Sequence, residues 1–345
     1  MDSITHIVLG AAVGEIVLGK KIGYKAALIG AVADTLPDFD IFLHLFTHDE
    51  ILKLQIHRSY SHAMLPQLIA AFAFAQLSYL LFKKKISYWQ WYLLWALGFT
   101  THSLLDCCTT YGTQYLLPFS NKLIAFNNIN VVDLFFTLPF LVIILVSQFF
   151  RKENPWRIKT AWIGLGYALA YIFIFSLVNK WEVNKKFTSE LSRQNIEVNN
   201  LSTVPTFFNN FLWNAIGTSK DSLWFGEYSI LQKEQEVNFV GYPRNIDLLS
   251  QHPAQKSIAV LKWFSNDKYL IRAKGDTLQF FNAKWGRGDF REKELDKALA
   301  FYFFLYPCNH SWKAGVREPD FTKEEFKSAL HALWERMYRS YPFKK

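Results

Sequence analysis

The stretch HRSYSHAMLPQLIAAFAFAQLSYLLF (57–82) decides the fold class, because it joins an ionisable cluster directly to an apolar run. Its first six residues hold two histidines, one arginine and two serines. From Leu65 to Phe82 no charged residue occurs, and a hydrocarbon core of about 30 Å needs roughly 20 such residues. The stretch therefore predicts a membrane helix that has ionisable side chains at its start.

Apolar runs of similar length recur along the first half of the chain. Two shorter runs precede them, about Thr5–Gly19 and Tyr24–Ala33, and each has a polar residue at or inside it. Small residues recur in GAAVG (10–14) and AALIG (26–30), a spacing that lets helix backbones approach closely. Together these segments predict an all-α polytopic membrane bundle of six helices over residues 1–180. The longer runs are Leu65–Phe82, Trp89–Cys107, Val131–Phe150 and Ala161–Val178.

Basic residues set the expected orientation of this bundle. Ten of them follow the first, third and fifth helices, whereas only Lys53, Arg58 and Lys122 occupy the opposite loops. Because cytoplasmic loops carry an excess of Lys and Arg, the ten are expected on the cytoplasmic side of the membrane. The N-terminus, the opposite loops and everything after Val178 are then expected on the outer side. The ten are Lys20, Lys21, Lys25, Lys83, Lys84, Lys85, Arg151, Lys152, Arg157 and Lys159.

Charge and cysteine content argue against two other classes of protein. Residues 1–179 carry 13 Lys and Arg against 10 Asp and Glu, and residues 180–345 carry 25 against 19. Neither half holds a concentrated basic block, so the expected partners are membrane lipids and not nucleic acid. Cys107, Cys108 and Cys308 form no CxxC motif, so no structural disulfide framework is expected. The sequence leaves the oligomeric state open.

The remainder of the chain, 181–345, predicts a soluble α+β domain. A polar helix near Trp181–Arg193 is expected to open it. TKEEFKSALHALWERMY (322–338) predicts an amphipathic helix, with Thr322 as its N-cap and Glu325 three residues on. Strands are predicted at SLWFGEYSIL (222–231), VNFVGY (237–242), SIAVLKWF (257–264), KYLIRA (268–273) and TLQFFNAKW (277–285).

Histidines and aspartates gather at one end of the predicted helices. His6 starts the first helix, and His57 and His62 precede the third. His102 and Asp106 close the fourth helix. In the topology given by the basic residues these groups all lie at outer helix ends, and ionisable groups in membranes are rarely kept without a role. The second helix ends in three further members, Asp34, Asp38 and Asp40.

The spacing of these groups suits metal ligation. His102 and Asp106 are four residues apart and therefore share one helix face. Pro37 stops the second helix, so Asp38 continues in an extended turn. Imidazole and carboxylate ligands favour zinc, with manganese or iron left open, and fit calcium poorly. A centre of one to three divalent ions is predicted. Its predicted ligands are His6, Asp34, Asp38, His57, His62, His102 and Asp106.

Four motifs carry most of these residues: MDSITHIVLGAAVGE (1–15), GAVADTLPDFD (30–40), HRSYSHA (57–63) and THSLLDCCTTYGTQYLLPFS (101–120). They resemble the signatures of the YdjM-type family of bacterial membrane proteins. The resemblance covers the predicted bundle and implies a membrane-bound, metal-dependent hydrolase. Family members often have a serine after the second histidine of HRSxSH, where this chain has Ala63. The order of the ligands is also similar, more weakly, to zinc-dependent phospholipase C.

Two residues complete the predicted site as catalytic groups. Arg58 offers a permanent guanidinium whose planar fork suits a phosphate or carboxylate oxygen, with contact to lipid headgroups as the alternative. Asp40 shares its turn with Asp38. The predicted activity is hydrolysis of a phospholipid or lipid-linked phosphoester at the outer membrane interface by metal-activated water. Four residues are expected to orient the ligands: Thr109, Thr110, Tyr111 and Ser120.

Two other functions can use the same residues. A metal or proton transporter would use the cluster as a pathway, although transport sites tend to lie near the bilayer midplane and these groups lie at helix ends. A non-catalytic binding module would keep the metal as a structural ion and recognise its partner through the C-terminal domain. Glu15 lies away from the cluster and is expected to pair with a lysine.

Overall fold

The protein divides into two compact units in the computed structural model. The N-terminal unit comprises Met1–His48, Gln55–Leu177 and Phe207–Asn209. The C-terminal unit comprises Asp49–Leu54, Val178–Thr206 and Asn210–Lys345. The structure describes residues 1–232, 234, 236–250, 252–288, 295–299, 301–308, 311–317 and 322–338.

Helices occupy all six apolar runs that the sequence predicted. Between the second and the third of these runs lie two 3₁₀ segments, Leu36–Phe46 and Tyr60–His62. Pro37 is the second residue of the former, and the preceding helix ends at Thr35, as a proline at this position predicts. The helices are α1 (Ser3–Ile22), α2 (Tyr24–Thr35), a short α3 (Glu50–Ile56), α4 (Met64–Leu81), α5 (Tyr88–Cys107), α6 (Leu134–Phe149) and α7 (Pro155–Ala170).

α1 and α2 pack with their backbones in direct contact. A Cβ added at Gly30 would lie 2.1 Å from the carbonyl oxygen of Gly10, and one at Gly14 would lie 2.0 Å from that of Ala26. No larger residue fits such a contact, so the small-residue patterns of both helices serve close approach. This contact brings the start of α1 beside the end of α2.

Within the described residues, three helices are long and apolar enough to cross a membrane: Ser3–Ile22, Met64–Leu81 and Pro155–Arg193. Only 22% of the apolar window of the second is buried. Its outward side chains include Ile69 and Leu81, which are 61% and 68% exposed. An apolar surface of this kind is unusual on a protein surrounded by water and suits a lipid environment. The crossing of the membrane by the other predicted helices stays a prediction.

A buried ion pair lies toward the other end of α1. Glu15 is fully buried, and Arg157 Nη2 donates to its Oε2 at 2.7 Å. Gln148 Oε1 accepts a second hydrogen bond from the same Nη2 at 2.5 Å. The expected lysine partner is therefore wrong. α7 begins at Pro155, six residues before the predicted run, so Arg157 lies inside its first turn and not in a loop.

The helix that begins at Pro155 continues well beyond the last apolar run. α7 passes through a π-helical turn, Tyr171–Phe175, into α8 (Ser176–Arg193), and the whole helix has 39 residues. The sequence predicted a polar helix near Trp181–Arg193 at the start of the second domain. In the structure this polar segment continues the preceding helix, because no Gly or Pro interrupts the backbone where the polarity changes.

The described residues of the C-terminal unit form two four-stranded antiparallel sheets, and neighbouring strands follow one another in chain order in both. Besides α8, the described α-helices of this unit are α9 (Gln255–Ser265), α10 (Leu295–Ala298) and α11 (Lys323–Tyr338). The first sheet consists of β1 (Asn200–Pro205), β2 (Leu212–Thr218), β3 (Ser222–Ser229) and β4 (Val240–Pro243). The second consists of β5 (Tyr269–Lys274), β6 (Thr277–Asn282), β7 (Tyr302–Cys308) and β8 (Ser311–Arg317).

Buried side chains join the two sheets in one core. Ile216 and Phe225 of the first sheet belong to the same apolar cluster as Leu270 and Phe281 of the second. On the first sheet, Trp213 packs in a separate cluster that includes residues of α8. An α+β architecture is therefore confirmed for the part of this unit that the structure describes.

The predicted elements of the C-terminal unit had mixed outcomes. The strands predicted at 222–231, 268–273 and 277–285 are confirmed as β3, β5 and β6, and 237–242 overlaps β4 only at its end. The strand predicted at 257–264 is wrong, since this run lies in α9. The capping box of α11 is confirmed: Thr322 Oγ1 accepts from Glu325 N at 3.2 Å, and Thr322 N donates to Glu325 Oε2 at 2.9 Å.

Candidate metal centre

Several elements of the N-terminal unit bring the predicted site residues to one end of the bundle. His6 lies in the first turn of α1, and Asp34 lies in the last turn of α2. His102 and Asp106 follow one another by about one turn at the end of α5. The 3₁₀ segments and their flanks supply the rest, Asp38, Asp40, His57, Arg58 and His62.

Four potential metal-ligand atoms, from Asp38, His62, His102 and Asp106, lie close to one another. His62 Nε2 and His102 Nε2 are 3.0 Å apart, and Asp38 Oδ1 lies 3.4 Å from each of them. Asp106 Oδ2 lies 3.5 Å from His62 Nε2 and 3.7 Å from His102 Nε2. Ligands bonded to zinc at about 2.0–2.1 Å in a tetrahedron are about 3.3 Å from one another. The separation of the two nitrogens, and that of each nitrogen from each oxygen, are therefore close to those at a tetrahedral metal site.

A second group shares His102. Asp34 Oδ2 lies 3.0 Å from His6 Nδ1 and 3.7 Å from His102 Nδ1, and the two imidazoles stack with centroids 3.8 Å apart. These residues could also hold an ion. They fit another role equally well, because a carboxylate beside the second ring nitrogen of a ligating histidine fixes the orientation of that ring. Thr101 Oγ1 donates to Asp34 Oδ1 at 3.0 Å and holds this carboxylate in place.

Asp40 fixes the conformation of the HRSYSH loop. Its Oδ1 lies 2.9 Å from His57 Nδ1, and its Oδ2 accepts from Arg58 N at 2.8 Å and from Ser61 Oγ at 2.9 Å. Burial alone would raise the pKa of Asp40, but the hydrogen bond and charge of His57 hold it below its usual value. His57 lies near the cluster, yet it belongs to neither group of metal-competent atoms.

Arg58 is buried inside the cluster. Its side chain is 5% exposed, and Nε lies 2.9 Å from Asp106 Oδ2, although the N–H does not point at that oxygen well enough for a hydrogen bond. Nη1 donates to Thr109 Oγ1 at 3.2 Å, and the guanidinium carbon lies 4.8 Å from the ring centre of Tyr111. Its backbone is left-handed, with φ of +55°. The alternative contact with lipid headgroups does not fit this buried position.

The residues present fit a divalent metal. His102 Nδ1 and Asp106 Oδ2 are buried and have no hydrogen-bond partner among the described residues. The cluster gathers four carboxylates around one guanidinium, so a divalent ion bound by neutral imidazoles would offset the remaining negative charge. At 3.0 Å, His62 Nε2 and His102 Nε2 can share one proton in a hydrogen bond, and a metal bound here would instead accept both lone pairs.

Sequence reasoning missed one residue that supports the site. Gln67 of α4 is 3% exposed, and its Nε2 donates to the carbonyl of Ser61 at 2.8 Å and to Ser103 Oγ at 2.7 Å. Gln67 therefore links the HRSYSH loop to α5. The sequence feature that could have identified it is a polar amide side chain inside the apolar run Leu65–Phe82. Of the expected orienting residues, Thr109 and Tyr111 contact Arg58. Ser120 instead accepts from the backbone of Lys122, and Thr110 Oγ1 has no hydrogen-bond partner among the described residues.

The apolar helices and the buried histidine–aspartate cluster define a helical membrane protein whose side chains can hold a metal ion. The chain belongs to the YdjM inner membrane protein family, whose model matches residues 1–182. It is also similar to a protein of Bacillus subtilis (strain 168) called uncharacterized protein YfhP, at 30% identity over 155 residues. That match covers 42% of this chain and 46% of the relative, so the chain spans about half of that relative's length. No solved structure matches the chain.

Proposed function

We propose that the protein is a membrane-bound, metal-dependent hydrolase of a phospholipid or lipid-linked phosphoester. The observation that carries the proposal is the set of four ligand atoms in which the two imidazole nitrogens lie 3.0 Å apart and each lies 3.4–3.7 Å from both carboxylate oxygens, with the buried guanidinium of Arg58 beside it. A resident metal alone needs no fixed cation, whereas an anionic substrate does. Phosphoesters are anions whose charge grows in the transition state, so such a cation lowers the barrier.

Each residue then has a distinct role. Asp38, His62, His102 and Asp106 would hold a divalent ion, with zinc favoured by the mixed imidazole and carboxylate set. When bound, the ion would supply Lewis acidity at this point. Arg58 would steady the phosphoryl oxygens through its planar fork.

Other members of the cluster would position these groups. Asp34 would orient His6 and His102, or would share a second ion with them. Asp40 would keep the HRSYSH loop, and with it His62, in place. His57 would support Asp40 from the outer side.

The metal centre and the C-terminal unit are proposed to lie outside the inner membrane. Nine of the ten basic residues assigned to the cytoplasmic side are exposed, and the buried Arg157 is the exception. Excluding Arg157 still leaves nine against three, so the bias that supports this orientation survives.

The test combines metal analysis with a screen of lipid phosphoesters. His62→Ala and Asp106→Ala should each lose 10–100-fold or more in metal affinity and should lose hydrolysis, because ligand sets of this kind depend on every member. His48→Ala, at an exposed residue outside the cluster, is the control and should behave as the wild type.

Two results would contradict the proposal. A double variant His62→Ala/Asp106→Ala that keeps its metal content and its stability would remove these residues as ligands. Metal uptake into vesicles by the wild type, without hydrolysis of any phosphoester, would assign the same cluster to a transporter.

A further inference from the structure

The 3₁₀ segment Leu36–Phe46 has two chemically opposite faces. Asp38 and Asp40 turn into the metal centre, where they contact His62 and His57. The remaining face is apolar and uncovered within the described part of the chain. Its side chains are Phe39 (52% exposed), Ile41 (54%), Phe42 (56%), Leu43 (49%), Leu45 (76%) and Phe46 (87%).

This apolar face continues the lipid-facing surface of the helix before it. Leu28 and Val32 of α2 are 59% and 55% exposed and lead directly into the segment. On the loop after α5, Phe119 is 83% exposed, and the exposed Lys122 follows it. Aromatic and aliphatic side chains next to a lysine are typical of protein that lies at the boundary between acyl chains and headgroups.

Exposure of such an apolar face to water is energetically unfavourable. Six large apolar side chains within eleven residues, all of them about half exposed or more, exceed the scattered apolar residues of an ordinary surface. Segments that insert into the membrane interface carry this combination of an apolar face and a polar face. The polar face here is the one that supplies Asp38 to the metal centre.

We propose that Leu36–Phe46 is an interfacial segment embedded among lipid acyl chains, through which the metal centre takes its lipid substrate directly from the bilayer. The entry of the substrate rests on the proposed function, whereas the embedding of Leu36–Phe46 in the membrane does not depend on it. Because one short segment forms both the embedded surface and one wall of the site, a lipid phosphoester would reach the centre at headgroup depth without leaving the membrane.

A depth measurement tests the embedding. An environment-sensitive fluorophore is coupled to Phe46→Cys in a Cys308→Ser background, in which the native Cys107 and Cys108 are buried. In vesicles of phosphatidylcholine brominated on its acyl chains, this label should be quenched, whereas iodide in the water should quench it weakly. The same label on Glu153→Cys, at a 70% exposed carboxylate, should show the reverse. A label at 46 that responds to iodide and not to bromine overturns the proposal.

A substitution tests the route of the substrate. Phe46→Asp should lower hydrolysis of a long-chain lipid in vesicles by about ten-fold or more, since it replaces an apolar side chain proposed to lie among acyl chains with a charge. Hydrolysis of a water-soluble short-chain phosphoester and the metal content should not change. Leu231→Asp, at an exposed apolar residue of the C-terminal unit, is the matched control. If Phe46→Asp loses hydrolysis equally on both substrates, entry of the lipid through this segment is wrong. If the wild type hydrolyses neither substrate, the proposed function is wrong, while the quenching result still tests the embedding.

Discussion

At the scale of single residues, the proposed chemistry depends most directly on Arg58. Arg58→Lys keeps the positive charge but loses the planar fork that reaches Asp106 and Thr109. We expect its metal content to equal that of the wild type and its kcat to fall on the order of 10²-fold, as when one transition-state donor is removed. Metal analysis and phosphoester kinetics on the same preparations measure both quantities.

The exposed Arg151→Lys provides the control for that exchange. Unchanged kcat in Arg58→Lys would take the guanidinium out of the mechanism. Loss of metal together with kcat would instead mean that Arg58 serves mainly to hold Asp106 in place.

The role of Asp40 can also be tested by substitution. The sequence predicted Asp40 as a catalytic residue, whereas its contacts indicate that it positions the HRSYSH loop. Asp40→Asn leaves one acceptor oxygen where the carboxylate uses two, so one side of the HRSYSH loop should loosen. We expect metal affinity to fall about 10-fold and kcat to fall with it. If kcat alone falls, with metal affinity intact, Asp40 acts on the substrate and the sequence prediction of a catalytic residue is right.

The residues of the cluster could be predicted from the sequence, but the individual role of each residue could not. Spacing and topology placed histidines and aspartates at the same helix ends, and the structure brings them together. Whether Asp34 faces a ring nitrogen or an ion depends on side-chain directions, which the spacing of residues does not encode. The pairing of Arg58 with Asp106 was hidden for the same reason, since 48 positions separate the two.

At the scale of elements, the contact between α1 and α2 governs the site, because these helices carry His6 and Asp34. Gly30→Ala would place a methyl group 2.1 Å from a carbonyl oxygen of α1, so the helices must separate. We expect a loss of about 1–3 kcal/mol in the free energy of unfolding, together with weaker metal binding. Thermal unfolding in detergent, with and without added zinc, measures both effects.

Gly166→Ala is the matched control for this substitution. It lies in α7, and an added Cβ there has nothing within 4 Å. Alanine favours a helix interior over glycine by about 1 kcal/mol, so this variant should be as stable as the wild type or more stable. Equal behaviour of the two variants would show that the close contact does not support the site.

Periodicity predicted the elements with uneven success. The apolar runs gave helices whose ends lie within a few residues of the expected positions, except for the last run, which lies inside the longer helix Pro155–Arg193. The run at 257–264 was misassigned, since a short apolar stretch fits a buried strand and a helix equally well. The strands β1, β2, β7 and β8 were missed, because their alternation is weak and their pairing is set by neighbouring strands.

At the scale of the whole molecule, the proposed orientation can be tested in intact bacterial cells. A membrane-impermeant maleimide should label Lys274→Cys of the C-terminal unit, and should label Lys84→Cys only after the cells are permeabilised. Both variants carry Cys308→Ser, while Cys107 and Cys108 are buried. Labelling of Lys84→Cys in intact cells, with Lys274→Cys protected, would invert the topology and place the metal centre in the cytoplasm.

The class of the molecule followed from the sequence, whereas one of its long-range contacts did not. A sparsely charged first half and a normally charged second half were enough to predict a helical membrane region followed by an α+β region. The pairing of Glu15 with Arg157 could not be predicted, because Arg157 was assigned to a cytoplasmic loop and 142 positions separate the two residues.

The pairing of Glu15 with Arg157 also has a consequence for the synthesis of the protein, because its two members are made at different times. α1 leaves the ribosome before α7, and a carboxylate in the interior of a membrane helix costs about 2.5–3.5 kcal/mol on insertion. The partner of Glu15 is synthesised 142 residues later, which at about 5–20 residues per second is an interval of roughly 7–28 s. During that interval Glu15 lacks its guanidinium partner, so α1 would reach its full stability only after α7 has been made. A nascent chain that stops before α7 would carry its ligand-bearing helices and still lack the guanidinium that pairs with Glu15.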